Sequence, residues 1–137
     1  MKILLSIPFL LIILIIYNAT LLTDPGSFDL EAVPALSMKL PSGGYWYASK
    51  GDFIVIGGII LLFLDILKSA RFGRGTNMAH GLTLLIMIAF LVEFIVWPAA
   101  ANSACMILML ICLLDVIGGF VISSSNSRTE FNLGGIH

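Results

Sequence analysis

Followed for apolar and polar positions, the chain divides into four long apolar stretches separated by polar connections. The first runs from Ile3 to about Leu22, the second from Phe53 to about Ala70, the third from about Gly81 to Trp97 and the fourth from about Cys105 to Ile122. A helix crosses a hydrocarbon core about 30 Å thick with roughly 20 apolar residues, and about 17 suffice. None of the four alternates with the period of a barrel strand. The pattern therefore predicts an all-α membrane protein, a four-transmembrane-helix bundle. The second stretch is the shortest and contains Asp65. Its Leu, Ile, Val and Phe residues outweigh the roughly 3 kcal/mol insertion cost of one Asp, and Lys68 extends it by reaching toward headgroups.

The first stretch has a second reading as a secretory signal, with Lys2 as its basic start and small residues at Asn18, Ala19 and Thr20. Against it, the apolar run continues through Leu21 and Leu22 without a clean small-x-small site.

The connections differ in kind. Residues 23–52 form a long loop holding Pro25, Pro34 and Pro41. Within it, Ala35 to Leu40 and Tyr45 to Ser49 flank the turn-forming run Pro41-Ser42-Gly43-Gly44, which predicts a small β-hairpin over the bundle. Trp46 in this loop and Trp97 at the end of the third span have the placement of interfacial anchors. Residues 124–137 are rich in Ser and Asn and read as a flexible cytoplasmic tail.

Composition agrees with this division. Of 137 residues 59% are hydrophobic and 11% charged, with a mean hydropathy of +1.08, whereas soluble domains carry about 25% charged residues. Eight acidic and seven basic groups leave a net charge of -1 and no basic stripe for nucleic acid. Sorted by position, Lys2, Lys68, Arg71, Arg74 and Arg128 fall on one side of the four spans, and only Lys39 and Lys50 on the other. The positive-inside rule then places both termini and the 68–80 connection in the cytoplasm. Lys68, Arg71 and Arg74 share the three-residue spacing of a voltage sensor, but Gly73 and Gly75 flank Arg74. Anchors for anionic headgroups, Arg71 and Arg74 in particular, are the simpler reading.

Three acids fall inside the spans: Asp65, Glu93 and Asp115. Each is costly in lipid unless paired, neutralised or facing water. At about 1.5 Å per residue, Asp65 lies about 20 Å and Asp115 about 15 Å from the outer ends of their spans, and Glu93 only about 6 Å. Asp65 and Asp115 can therefore meet, while Glu93 sits apart. Gly58 shares a helix face with Asp65, and Gly118 and Gly119 share one with Asp115. Such residues permit close helix packing, which predicts that spans two and four touch through Gly58 and Gly119. Two readings stand. In the first, the acids lock helices: Asp65 pairs with Lys68, and Asp115, protonated, donates to a backbone carbonyl or to Asn18. In the second, Asp65, Asp115, Glu93 and Lys68 line a proton or cation pathway.

The chain carries little catalytic equipment. His80 and His137 are its only histidines, which argues against a bis-histidine haem or a metal centre. Cys105 and Cys112 lie about 10 Å apart along one helix, too far to bridge within it. Nucleophile-elbow, zinc-protease and phosphate-loop motifs are absent from the sequence. We expect no enzyme, cofactor or metal. Small multidrug exporters also have four spans in a short chain, but they place an acid in the first span, where this chain has none.

The segments WYASKGDFIVIGGIILLFLDILKSARFG, HGLTLLIMIAFLVEFIVWPAA and LLDVIGGF together resemble an uncharacterised family of small four-span inner-membrane proteins of alphaproteobacteria. The resemblance implies a bacterial inner-membrane location and an acid at the level of Asp65, where the family usually carries Glu. It implies no activity. The expectation is a non-catalytic structural or accessory subunit that packs in the bilayer with other membrane subunits or with copies of itself.

Overall fold

The computed structural model describes residues 3, 6–29, 31–72 and 77–136, and of residues 72, 77, 123 and 125–136 the backbone alone. Four helices carry the architecture: α1 (Leu10–Thr23), α2 (Lys50–Phe72), α3 (Asn77–Val96) and α4 (Ser103–Ile136), with strands β1 (Leu36–Lys39) and β2 (Tyr45–Ala48) between the first two. α1 packs on α2 and α3, and α4 packs on the same two helices. The result is the expected all-α bundle with its hairpin.

The core follows from helical spacing. Leu10, Ile13, Tyr17 and Leu21 place the buried face of α1 against Ile54 of α2, Ile86 and Phe90 of α3, and Cys105, Leu108, Ile111 and Cys112 of α4. The outside is as apolar as the inside: Ile15, Phe63, Leu85, Ile95 and Phe120 are each more than 60% exposed. Apolar surface this extensive requires lipid rather than water. α2, α3 and α4 are each long and apolar enough to cross a bilayer, so the chain is a membrane protein.

The first span departs from expectation. Ile3 and Ser6 are helical, but Ile7 to Phe9 interrupt the span, and α1 runs from Leu10 for 14 residues, about 21 Å. The cause is Pro8, which lacks an N–H and cannot continue the ladder of a helix interior. Ile7, Pro8 and Phe9 lie outside the helix. The fourth helix departs in the other direction. Its backbone runs to Ile136, past Ile122, where the sequence reading begins a flexible tail. The Ser and Asn residues after Ile122 end the apolar run, but polarity does not break a backbone hydrogen-bond ladder.

The hairpin pairs Leu36 with Ala48 and Lys39 with Tyr45 in antiparallel register. Gly43 supplies the positive φ of 88° at the turn, where its amide donates to the Leu40 carbonyl at 2.9 Å. β2 rests on α2, and Trp46 and Tyr47 help line a groove of about 860 Å³ with Ile56 and Ile107. At the same end Lys50 bonds Asp24 at 2.8 Å. The Lys50 ammonium, and then Ser27, hold the Asp24 carboxyl below its usual range.

Candidate functional site: a buried polar layer

Asp65, 2% exposed, stands on α2 opposite the start of α1. The proline break leaves the first amides of α1 without intrahelical acceptors. The Asp65 carboxylate takes two of them, accepting from Phe9 N through Oδ1 at 3.0 Å and from Leu10 N through Oδ2 at 3.2 Å. A side chain from another helix thus caps α1, and its negative charge faces the positive end of that helix dipole. Lys68 completes the arrangement one turn along α2. Its Nζ lies 3.0 Å from Asp65 Oδ1, donates to the Ile7 carbonyl at 2.8 Å and stands 4.3 Å from the centre of the Phe9 ring. Backbone on both sides of the break is bonded, as irregular backbone at membrane depth requires. The expected Asp65–Lys68 pair is present, and it grips the chain where the first span is interrupted.

Asp115 takes other partners. Fully buried on α4, it accepts from Thr83 Oγ1 of α3 through Oδ2 at 2.8 Å, while its Oδ1 faces His80 Nδ1 at 3.5 Å. His80 Nε2 lies 3.0 Å from Ser69 Oγ of α2. Among the described residues, neither Asp115 Oδ1 nor His80 Nδ1 has a hydrogen-bond partner. The two acids, which the sequence allows to meet, take separate partners. The sequence reading needs two corrections. Asn18 is not the partner of Asp115; its amide donates to the Leu14 carbonyl at 3.0 Å. Spans two and four do not touch through Gly119, because a Cβ there would collide with the His80 ring of α3. Gly118 is the residue facing α2, with Ile66 at 3.6 Å from a Cβ built there, while Gly58 meets Leu108 and Ile111 of α4 as expected of a packing glycine.

Ser69, His80 and Thr83 are the residues sequence reasoning missed. Ser69 follows Asp65 by four residues, so the face already assigned to Asp65 contained it. His80 and Thr83 share a face of α3, and both are buried. The order Ser69, His80, Asp115 has the donor sequence of a nucleophilic triad, but Ser69 is only 2% exposed, which leaves no room for an electrophile at its Oγ.

Glu93 sits apart, as expected. It is half-buried toward the hairpin end, beside Asn18. Nearby, Asn102 caps α4 by accepting from Cys105 N at 2.9 Å, and its amide donates to Tyr17 Oη at 3.0 Å. Trp46 is 40% exposed in the hairpin. Trp97 ends α3, its amide donating to the Glu93 carbonyl at 2.8 Å. Arg71 is exposed in the last turn of α2. Lys2 and Arg74 lie outside the described residues, as do the side chains of Arg128 and Glu130. No group of three or more His, Cys, Asp or Glu placed to hold a metal occurs among the described residues.

The buried polar groups thus form a layer across the bundle rather than a column along it. Between this layer and the Tyr17–Asn102 pair lie Ile13, Phe90, Leu108 and Ile111, all buried. Comparison with protein-family models, with curated proteins and with solved structures returned no match.

Proposed function

We propose that this chain is a multi-pass protein of a bacterial inner membrane, with both termini cytoplasmic, acting as a non-catalytic structural or accessory subunit of a membrane assembly. One observation carries this reading: the Asp65 carboxylate is fully engaged by Phe9 N, Leu10 N and Lys68. A group held this way is a fastener, since moving an ion past it would mean dismantling the start of α1. The basic residues around Lys68 and Arg71 support the orientation, and the family resemblance supports the location. Its partners on this reading are lipid and either other membrane subunits or further copies of the chain.

The test is to co-purify the chain in mild detergent and to measure proton and cation flux in proteoliposomes, for wild type and for Asp65→Asn. The reading expects defined company for the wild type, weakened association for the variant and flux from neither. A pH-dependent conductance abolished by Asp65→Asn overturns it.

A second reading, a proton or cation pathway using Asp65 and Asp115, draws support from the Asp115 half alone. Its Oδ1 and His80 Nδ1 are buried polar atoms without hydrogen bonds among the described residues, as an exchangeable site requires. Conductance lost in Asp115→Asn distinguishes this reading from the first.

A further inference from the structure

Two orphaned atoms face each other in the seam between α3 and α4. His80 Nδ1 and Asp115 Oδ1 are 3.5 Å apart, each is buried, and neither has another hydrogen-bond partner among the described residues. The rest of each side chain is held. Ser69 bonds the far nitrogen of the ring, Thr83 bonds the other carboxylate oxygen, and the missing side chain of Gly119 makes the space in which the ring lies. A neutral imidazole carries one ring proton: placed on Nε2, it leaves Nδ1 and the carboxylate oxygen facing each other as bare lone pairs that repel and lose their hydration, and placed on Nδ1 it makes that nitrogen a donor to Oδ1. A proton between the two atoms removes both penalties, whether it is the ring's own or one taken up.

We propose that His80 and Asp115 form a binding site for a single proton, held between Nδ1 and Oδ1, that joins α3 to α4. The proton is either the ring's own, the Nε2–H bond breaking as Nδ1–H forms while Ser69 turns to donate to Nε2, or one taken from water onto a lone pair of either atom. A small rotation of the ring shortens the pair to hydrogen-bond length. Ser69 suits either form of the ring, since its hydroxyl donates to a bare Nε2 and accepts from a protonated one.

Among the described residues, the charged and titratable surroundings are few. α2 presents Asp65 and Lys68, already paired to each other, with Ser69 in direct contact. α4 presents Cys112 between the two acids. The start of α1 and the residues just before it present the Phe9 and Leu10 amides and the Ile7 carbonyl, engaged by Asp65 and Lys68. The remaining acid of α3, Glu93, lies at the other end of that helix. The site lies in one layer, so it binds a proton without itself forming a route across the bundle.

The chain has two histidines, and a His137→Gln variant leaves His80 as the only imidazole. In lipid nanodiscs, the ¹⁵N shifts of His80 and the ¹³C shift of the Asp115 carboxyl are followed between about pH 5 and 8. The proposal expects both signals to move together in one one-proton step, and the His80 step to change in Asp115→Asn. Should neither signal move, a proton bridging Nδ1 and the carboxyl, observed directly in the nitrogen and carbon shifts, supports the site. Separate steps, a His80 step unchanged in Asp115→Asn, or an unmoving bare Nδ1 beside an ionised Asp115 overturns it. Thr83→Val, which keeps the shape but removes the hydroxyl, is the second variant. It is expected to displace the joint step while leaving Asp65 and its partners unaltered.

Discussion

Replacing Asp65 by Asn changes one atom and removes one charge, and the structure states what is lost. An amide side chain offers one acceptor oxygen instead of two, so only one of Phe9 N and Leu10 N retains its partner. The other becomes an unbonded donor in a buried place, at about 1–3 kcal/mol. Lys68 loses its counter-charge while remaining 8% exposed, with the Ile7 carbonyl and the Phe9 ring as its remaining neighbours. Removing one partner of a buried pair destabilises by about 3–5 kcal/mol. That figure already includes much of the amide's share, so we expect about 3–5 kcal/mol in all. The assay is reversible unfolding in bicelles or mixed micelles, with a double-mutant cycle against Lys68→Met. Because the unpaired ammonium dominates the loss, the double variant should be more stable than the sum of the single losses implies, by about 1–3 kcal/mol. An Asp65→Asn loss below about 1 kcal/mol, or strictly additive single losses, would refute the reasoning.

Other consequences are smaller and separable. Gly119→Ala drives a methyl group into the His80 ring and should destabilise by about 1–3 kcal/mol; Gly118→Ala meets Ile66 at an ordinary 3.6 Å and should change the melting point little. Comparable losses at both positions would mean the ring is not where we describe it. Asn102→Ala removes both the α4 cap and the bond to Tyr17, an expected loss of about 1–2 kcal/mol, and a control Asn102→Ser, which can still cap, should recover part of it. Asp24 has its carboxyl pKa lowered in the folded state by Lys50 first and then Ser27. Its contribution is therefore present above the usual Asp value of about 4 and is lost as pH falls through the lower folded value. Lys50→Met or added salt should flatten that part of the acid-side melting profile, and an unchanged profile would count against the pair.

Much of the fold was legible because the features that carry it are local. Apolar runs announce helices, and Pro41-Ser42-Gly43-Gly44 between two strand-like runs announced a hairpin whose observed strands fall within the expected segments. The Asp65–Lys68 pair was legible for the same reason, being one helical turn long. The interruption of the first span was hidden because hydropathy registers Pro8 as one more tolerable residue and says nothing of its missing N–H. With the break unseen, the role of Asp65 was unseen too. A helix interior has no free amides to cap, and the acceptor lies 55 and 56 residues from the donors. His80 was read only as one of too few histidines for a metal or haem. Its meeting with Asp115 depends on how α3 packs on α4, and Gly119 announces small size without saying which helix uses the space. The fourth span ends at Ile122 as the apolar run indicates, but helical backbone continues to Ile136, which the limit of an apolar run does not register.

The central claim is that Asp65 caps a broken helix from across the bundle. Amide hydrogen exchange at Phe9 and Leu10, measured in nanodiscs for wild type and Asp65→Asn, tests it most directly. The account expects both amides to be protected in the wild type. In the variant, at least one should exchange much faster while the amides around Leu108 stay protected. Rapid exchange of both amides in the wild type, or protection indifferent to the substitution, would contradict it.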